Sequence, residues 1–340
     1  MRPRLLIRLA PTPDGPLQWV SVDSSGQVGA PGDGALADAA AQAAGCEVVV
    51  LVPGTQVMLT GAAVPSRNRQ RIAEAIPFVL EEHLIDDVEA LHFAIGQRGP
   101  DGRVSTVVVA RDLMDVWTAR LAEAGLRPDV MTPDMLAAPL AEDEWTAVEE
   151  DDVTLLRTGY QSGLAFDTYN LAAILPAALE SSEGAAPRRI RIITGDPGRS
   201  PGLPAAADGP EIAAEPYAEP GLAVLARGYD PRAVVNLLQG PYSRREQMGR
   251  LWRPWRPAAV LLIAWLAIQA GATISDYVHL KHEETALRHH IDQTFHAALP
   301  DVKHLVNPRV QMQRRLDALR GGGGLQAGFV TGTDMMVSGG

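Results

Sequence analysis

Nineteen consecutive residues without a formal charge, Pro257 to Ser275, read PAAVLLIAWLAIQAGATIS. As a helix rising about 1.5 Å per residue they extend roughly 28 Å, close to the ~30 Å hydrocarbon thickness of a bilayer. A buried core helix rarely holds more than about 14 such residues. Leu261, Leu262, Ile263, Trp265 and Leu266 form the apolar centre of the run, with Trp252 and Trp255 before it and Tyr277 after it, as an aromatic belt requires. Arg244, Arg245, Arg250, Arg253 and Arg256 all lie on the N-terminal side. Positive charge close to a span stays in the cytoplasm, so residues 1–256 are expected there and residues 276–340 across the lipid bilayer. The N-terminal MRPRLLIRLAPTP is interrupted by Arg8 and too short for a secretory signal, so the internal span is expected to do the targeting.

At roughly 150 residues per domain, a 340-residue chain has room for about two domains. The formal charge of −11 is unevenly placed. Residues 244–256 hold five Arg against one Glu, residues 276–320 hold seven basic against six acidic groups, and the tail adds one Asp, which leaves −15 on residues 1–243. Such a domain is no nucleic-acid binder, whose footprint must be basic. The lone Cys46 excludes a disulfide scaffold and any multi-cysteine metal site. Lys281 and Lys303 are the only lysines, so residues 1–280 can hold neither a P-loop nor a kinase-type phosphate lysine, nor a Schiff-base amine.

Strand-length apolar runs occur at Leu5 to Leu9, Leu17 to Asp23, Glu47 to Val52 and Val57 to Thr60, with an Ala-rich helix from Ala35 to Ala44 stopped by Gly45. Residues 66–84 predict an amphipathic helix capped by Ser66, with Ile72, Ile76, Val79, Leu80 and Leu84 on one stripe and a kink at Pro77. Strands Ala90 to Ile95 and Arg103 to Ala110 flank a Gly-Pro-Asp-Gly turn at 99–102, and Arg111 to Ala124 reads as a helix ended by Gly125. A second block begins near residue 150: a strand pair, Val153 to Arg157 and Ser162 to Tyr169, then a helix, Leu171 to Leu179, and a strand, Arg189 to Thr194. Residues 181–187 and 196–210 read as exposed loops. The blocks describe two related lobes of α/β character with mixed sheets.

Chemistry-bearing motifs are missing. There is no H-E-x-x-H, no C-x-x-C and no G-x-G-x-x-G after a strand. Gly159 to Gly163 reads as a hairpin turn, and Glu81-Glu82 and Asp86-Asp87 as a solvated face that is a candidate partner surface. No catalytic residue, cofactor site or metal site is expected. His282, His289 and His296 recur every seven residues but are read as solvated helix positions. Leu280, Leu287 and Ile291 make a narrow stripe on the helix beyond the span, of the kind that packs on another chain. Pro300 ends that helix, and Pro308 opens a second one reaching Arg320.

This order resembles the type II secretion system inner-membrane protein L family (GspL). Residues 75–88, AIPFVLEEHLIDDV, followed by Leu91-His92-Phe93-Ala94, are similar to a characteristic stretch of that family. Leu299-Pro300 and Val306 to Met312 resemble its segment after the stalk helix. The resemblance implies an actin-like (RNase H-like) cytoplasmic fold over 1–243, a neck over 244–256, a transmembrane helix over 257–275 and a periplasmic helical stalk over 276–320. Residues 321–340 open with four glycines and contain too little apolar material for the ferredoxin-like domain that members usually carry. Functionally it implies a non-enzymatic inner-membrane scaffold that recruits the secretion ATPase (GspE). Pairing with protein M (GspM) through span and stalk, contact with other platform proteins, and a homodimer are implied as well. In actin-like ATPases an acidic residue closes the first strand beside a phosphate-binding loop. Here that strand reads Leu5-Leu6-Ile7-Arg8-Leu9, and Thr194 to Gly198 only faintly resembles an adenosine-contacting glycine pair. The alternatives are a membrane-tethered actin-like ATPase or kinase, and a type IV pilus assembly protein.

Overall fold

The computed structural model describes residues 2–12, 15–181, 186–195, 209–243 and 255–298, together with 310, 313, 314 and 317. It divides into two units, residues 1–251 and 252–340.

In the first unit, β1 (Arg4–Arg8) pairs antiparallel with β2 (Leu17–Val22) and parallel with β4 (Glu47–Val52). Adding β3 (Gly32–Gly34) beyond β2 and β8 (Val130–Pro133) beyond β4 gives the order β3-β2-β1-β4-β8. β4 is almost wholly apolar because it lies between parallel neighbours and is covered on both faces. A second sheet repeats this plan. β9 (Glu144–Glu150) pairs antiparallel with β10 (Val153–Gly159) and parallel with β12 (Arg189–Thr194). With β11 (Ser162–Asp167) and β13 (Glu211–Pro216) the order is β11-β10-β9-β12-β13. The doubled order is the actin-like arrangement of two lobes.

Both lobes contribute to one core. Leu5, Ile7, Val50 and Val52 share it with Val148, Leu155 and Ile193, and with Leu222 and Leu225 of α5 (Gly221–Gly228). α1 (Leu36–Gln42) and α3 (Arg111–Glu123) border the same core through Ala39, Met114, Trp117 and Leu121. Gly125 ends α3 at φ +76°, a conformation only glycine adopts without strain. α4 (Leu171–Ser181) covers the far face of the second sheet through Leu171 and Leu175.

A third, antiparallel sheet, β5-β7-β6, is inserted in the first lobe from β5 (Met58–Ala62), β6 (Leu91–Arg98) and β7 (Val104–Ala110). The 99–102 turn joins β6 to β7, with Gly99 N–H bonded to Arg103 O at 2.7 Å and Gly102 at φ +80°. α2 (Arg69–Leu80) packs on this sheet through Ile72, Ile76 and Leu80 and runs on through Pro77. Two expectations for α2 are corrected. Its cap is Asn68, whose side chain accepts from Gln70 and Arg71 N–H, while the Ser66 hydroxyl accepts from Asn68 N–H. Val79 faces solvent, because the 100° helical step that buries Ile72, Ile76 and Leu80 carries it off the stripe.

Sequence reasoning missed β3, β8, β9, β13 and α5 and began the second block near residue 150, whereas β9 opens the second lobe at Glu144. The second unit contains α6 (Trp255–Ala298), one continuous 44-residue helix that joins the expected span and stalk without a break.

Candidate functional site

β1 delivers Arg8 to the meeting point of the lobes. The guanidinium Nη2 and Nε donate to Asp134 Oδ2 at 3.1 and 3.3 Å, and Nη1 donates to Glu150 at the end of β9. Asp134 is 2% exposed, and its other oxygen accepts the Gly54 N–H at 2.9 Å. Burial pushes the Asp134 carboxyl above the ordinary carboxylate range, and Arg8 beside it opposes the shift. The β9–β10 turn is Asp151-Asp152, with Asp151 at φ +48°, so four acidic residues, Glu149 to Asp152, crowd this hairpin. Gly221, the first residue of α5, lies so close over the Glu150 carboxylate that any Cβ there would collide with it. Arg8 therefore stands at the strand end where an actin-like ATPase would hold an acid, and each of its three guanidinium nitrogens donates to a carboxylate of this chain.

A second cluster fixes the segment that leaves the α/β unit. After α5 the chain runs along all three sheets. Leu237 N–H bonds to Met131 O of β8 at 2.7 Å, Arg157 Nη2 of β10 donates to Ala233 O at 3.0 Å, and Gln239 Nε2 donates to Ile95 O of β6 at 3.0 Å. Gln161 Nε2 holds Val234 O at 2.9 Å. Arg157 is 1% exposed and binds the carbonyls of Gly159, Leu136, Ala138, Tyr160 and Ala233, and burial lowers its pKa to about 10. His92 Nε2 lies 2.8 Å from Leu237 O, and the ring meets Tyr242 edge-on at 4.8 Å. The Tyr242 hydroxyl donates to Asp115 Oδ1 at 2.9 Å. Burial pulls the His92 pKa below its usual value, and burial together with Asp115 raises the Tyr242 hydroxyl to about 12.

Neither cluster contains Glu81, Glu82, Asp86 or Asp87. Glu81 and Glu82 are exposed in the turn after α2; Asp86 and Asp87 are exposed beyond it, and Asp87 accepts from Glu89 N–H. Leu261, Leu262, Ile263, Trp265, Leu266 and Tyr277 are exposed on α6, as are Leu280, Leu287 and Ile291. α6 contains a stretch long and apolar enough to cross a membrane, and none of it is buried within the protein. Trp255 and Arg256 form its first turn; Trp252, Arg244, Arg245, Arg250 and Arg253 lie outside the described residues, as do Asp196 to Gly198, Pro300 and Pro308. His282 and His289 are exposed on α6. Among the described residues no group of three His, Cys, Asp or Glu is gathered to hold a metal. The missed residues left faint signals: Arg8 sits in an apolar strand, and Asp134 is the only charged residue between Asp129 and Glu142.

The family model for type II secretion system protein L matches residues 5–245, and that for the GspL transmembrane domain matches residues 251–319. The chain is 28% identical over 327 residues to the type II secretion system protein L of Dickeya chrysanthemi, covering 94% of this chain and 76% of that one. It is 27% identical over 342 residues to that of Pectobacterium carotovorum, covering 94% and 75%. The solved cytoplasmic domain of EpsL, an inner-membrane component of the Vibrio cholerae type II secretion system, superposes with a TM-score of 0.59 at 24% identity, over 71% of this chain and 100% of that domain. The chain belongs to the type II secretion system protein L family.

Proposed function

We propose that this protein is a non-enzymatic inner-membrane scaffold, with residues 1–243 in the cytoplasm and the stalk in the periplasm, that holds the cytosolic secretion ATPase at the membrane. The reading rests on one observation: a protein L-type α/β unit with Arg8 locked between Asp134 and Glu150 is carried on a chain with a helix long and apolar enough to cross a membrane. A phosphate brought to Arg8 would meet the carboxylates of Asp134 and Glu150 and the acidic hairpin, with Arg8 already neutralised. The five Arg before the span support the orientation. The exposed stripe of Leu280, Leu287 and Ile291 supports a helical partner across the membrane, protein M or a second copy, and the −15 of residues 1–243 favours a basic face on the ATPase.

Magnesium-ATP added to the α/β unit should leave its melting temperature unchanged and yield no phosphate. ATP-dependent stabilisation with turnover would overturn the non-catalytic reading. Reporters fused at residues 240 and 300 should be active only in the cytoplasm and periplasm respectively, and the reverse pattern would overturn the orientation.

A further inference from the structure

α2 turns Ile72, Ile76 and Leu80 onto the three-stranded sheet, where they pack with Leu91, Ile95, Val104 and Val108. That leaves Phe78 and Val79 on the outer face, 72% and 40% exposed. The chain then passes through the turn Glu81–His83, sets Leu84 against the same core, and carries Ile85 wholly into solvent. Isolated surface apolar residues are ordinary, but a phenylalanine, a valine and an isoleucine within eight residues, at the end of one helix and just beyond it, mark an interaction surface.

The surrounding charge selects the occupant. Residues 74–89 contain Glu74, Glu81, Glu82, Asp86, Asp87 and Glu89, with no Lys or Arg and a single histidine, His83. Among the described residues none of these six carboxylates is in an ion pair. An anionic lipid surface would be repelled, and a second copy meeting this face with the same face would bring six more carboxylates against it. We propose that Phe78, Val79 and Ile85 form an apolar knuckle, rimmed by six acids, that docks into an apolar socket on a basic protein face. Resting on the scaffold reading above, that face belongs to the cytosolic secretion ATPase. The knuckle sets how long the complex lasts, and the acidic rim sets how fast it forms and how steeply salt weakens it.

The test uses the full chain in nanodiscs of phosphatidylethanolamine and phosphatidylglycerol and the purified secretion ATPase of the same bacterium, with binding followed in real time. Phe78→Ser with Ile85→Ser should weaken binding about 30-fold or more, chiefly by faster dissociation, as loss of a hot-spot pair does, with melting unchanged because both side chains are exposed. Glu81→Gln, Glu82→Gln and Asp86→Asn together should slow association and flatten its salt dependence. Wild-type binding that survives the Phe78/Ile85 double variant within twofold would overturn the knuckle while leaving the scaffold reading intact. No wild-type binding at all would overturn both. A double variant that loses self-association in light scattering yet binds the ATPase normally would make this a contact between copies and overturn the assignment.

Discussion

Arg8 at the end of β1 bonds Glu150 at the end of β9, so the first strands of the two lobes are tied by one guanidinium that also covers the buried Asp134 at 3.1 Å. Removing one partner of a buried pair strands the other charge, which costs about 3–5 kcal/mol. Arg8→Met should therefore lower unfolding stability by about that amount, and adding Asp134→Asn, which keeps an acceptor for Gly54 N–H, should recover part of it. A double-mutant cycle in urea gives the coupling, and additive effects would show the ion cluster carries no weight.

Arg157 is a buried cation satisfied by five main-chain carbonyls. A lysine offers three donors from one point and cannot spread over that fork. Arg157→Lys should cost at least about 2 kcal/mol, because orphaned buried acceptors pay their full desolvation. Circular-dichroism melts read this directly, and a melt matching wild type would contradict it.

His92 carries a pKa held below 6.5 by burial, with Arg111 adding to the shift and the Leu237 carbonyl opposing it. Between the lowered folded value and the ordinary one, the unfolded chain binds more protons than the folded one, so stability is full above about pH 6.5 and falls as pH drops below it. Denaturant midpoints measured from pH 7 to pH 5 should decline, and His92→Gln should flatten the decline. An identical slope in the variant would contradict the assignment.

Gly228 ends α5 where its main chain meets the segment 137–139; a Cβ there would collide with Ala137 O and come within 2.5 Å of Pro139 N. These are backbone atoms that cannot rotate away, so Gly228→Ala should destabilise by about 1–3 kcal/mol or more. Gly45→Ala, at φ +79° with nothing near its Cβ, should cost only the strain of a left-handed alanine, about 1–2 kcal/mol. A larger loss at Gly45 than at Gly228 in thermal unfolding would reverse this ranking.

Local patterning made much of the first lobe readable. β4 is a nearly continuous run of buried aliphatics, and the 99–102 turn has the residues a tight hairpin needs. β9 was unreadable because acids occupy both its ends, yet Trp145 to Val148 are buried between them. Glu144 is paired with Arg191 at 2.9 Å, and Glu150 with Arg8. β13 is an exposed edge strand with almost no apolar alternation. The interlobe cluster joins residues 126 and 142 positions apart, a relation no periodicity carries. Phe78 and Ile85 lay inside the stretch that carried the family resemblance, but their exposure depends on how α2 faces its sheet.

On the scaffold reading, this chain holds the secretion ATPase at the membrane. Flotation of membranes from cells producing the ATPase with and without the full chain tests it most directly. The ATPase should float with the membranes only when the chain is present and sink when residues 1–243 are deleted. Equal flotation in both strains, or none in either, would contradict the account.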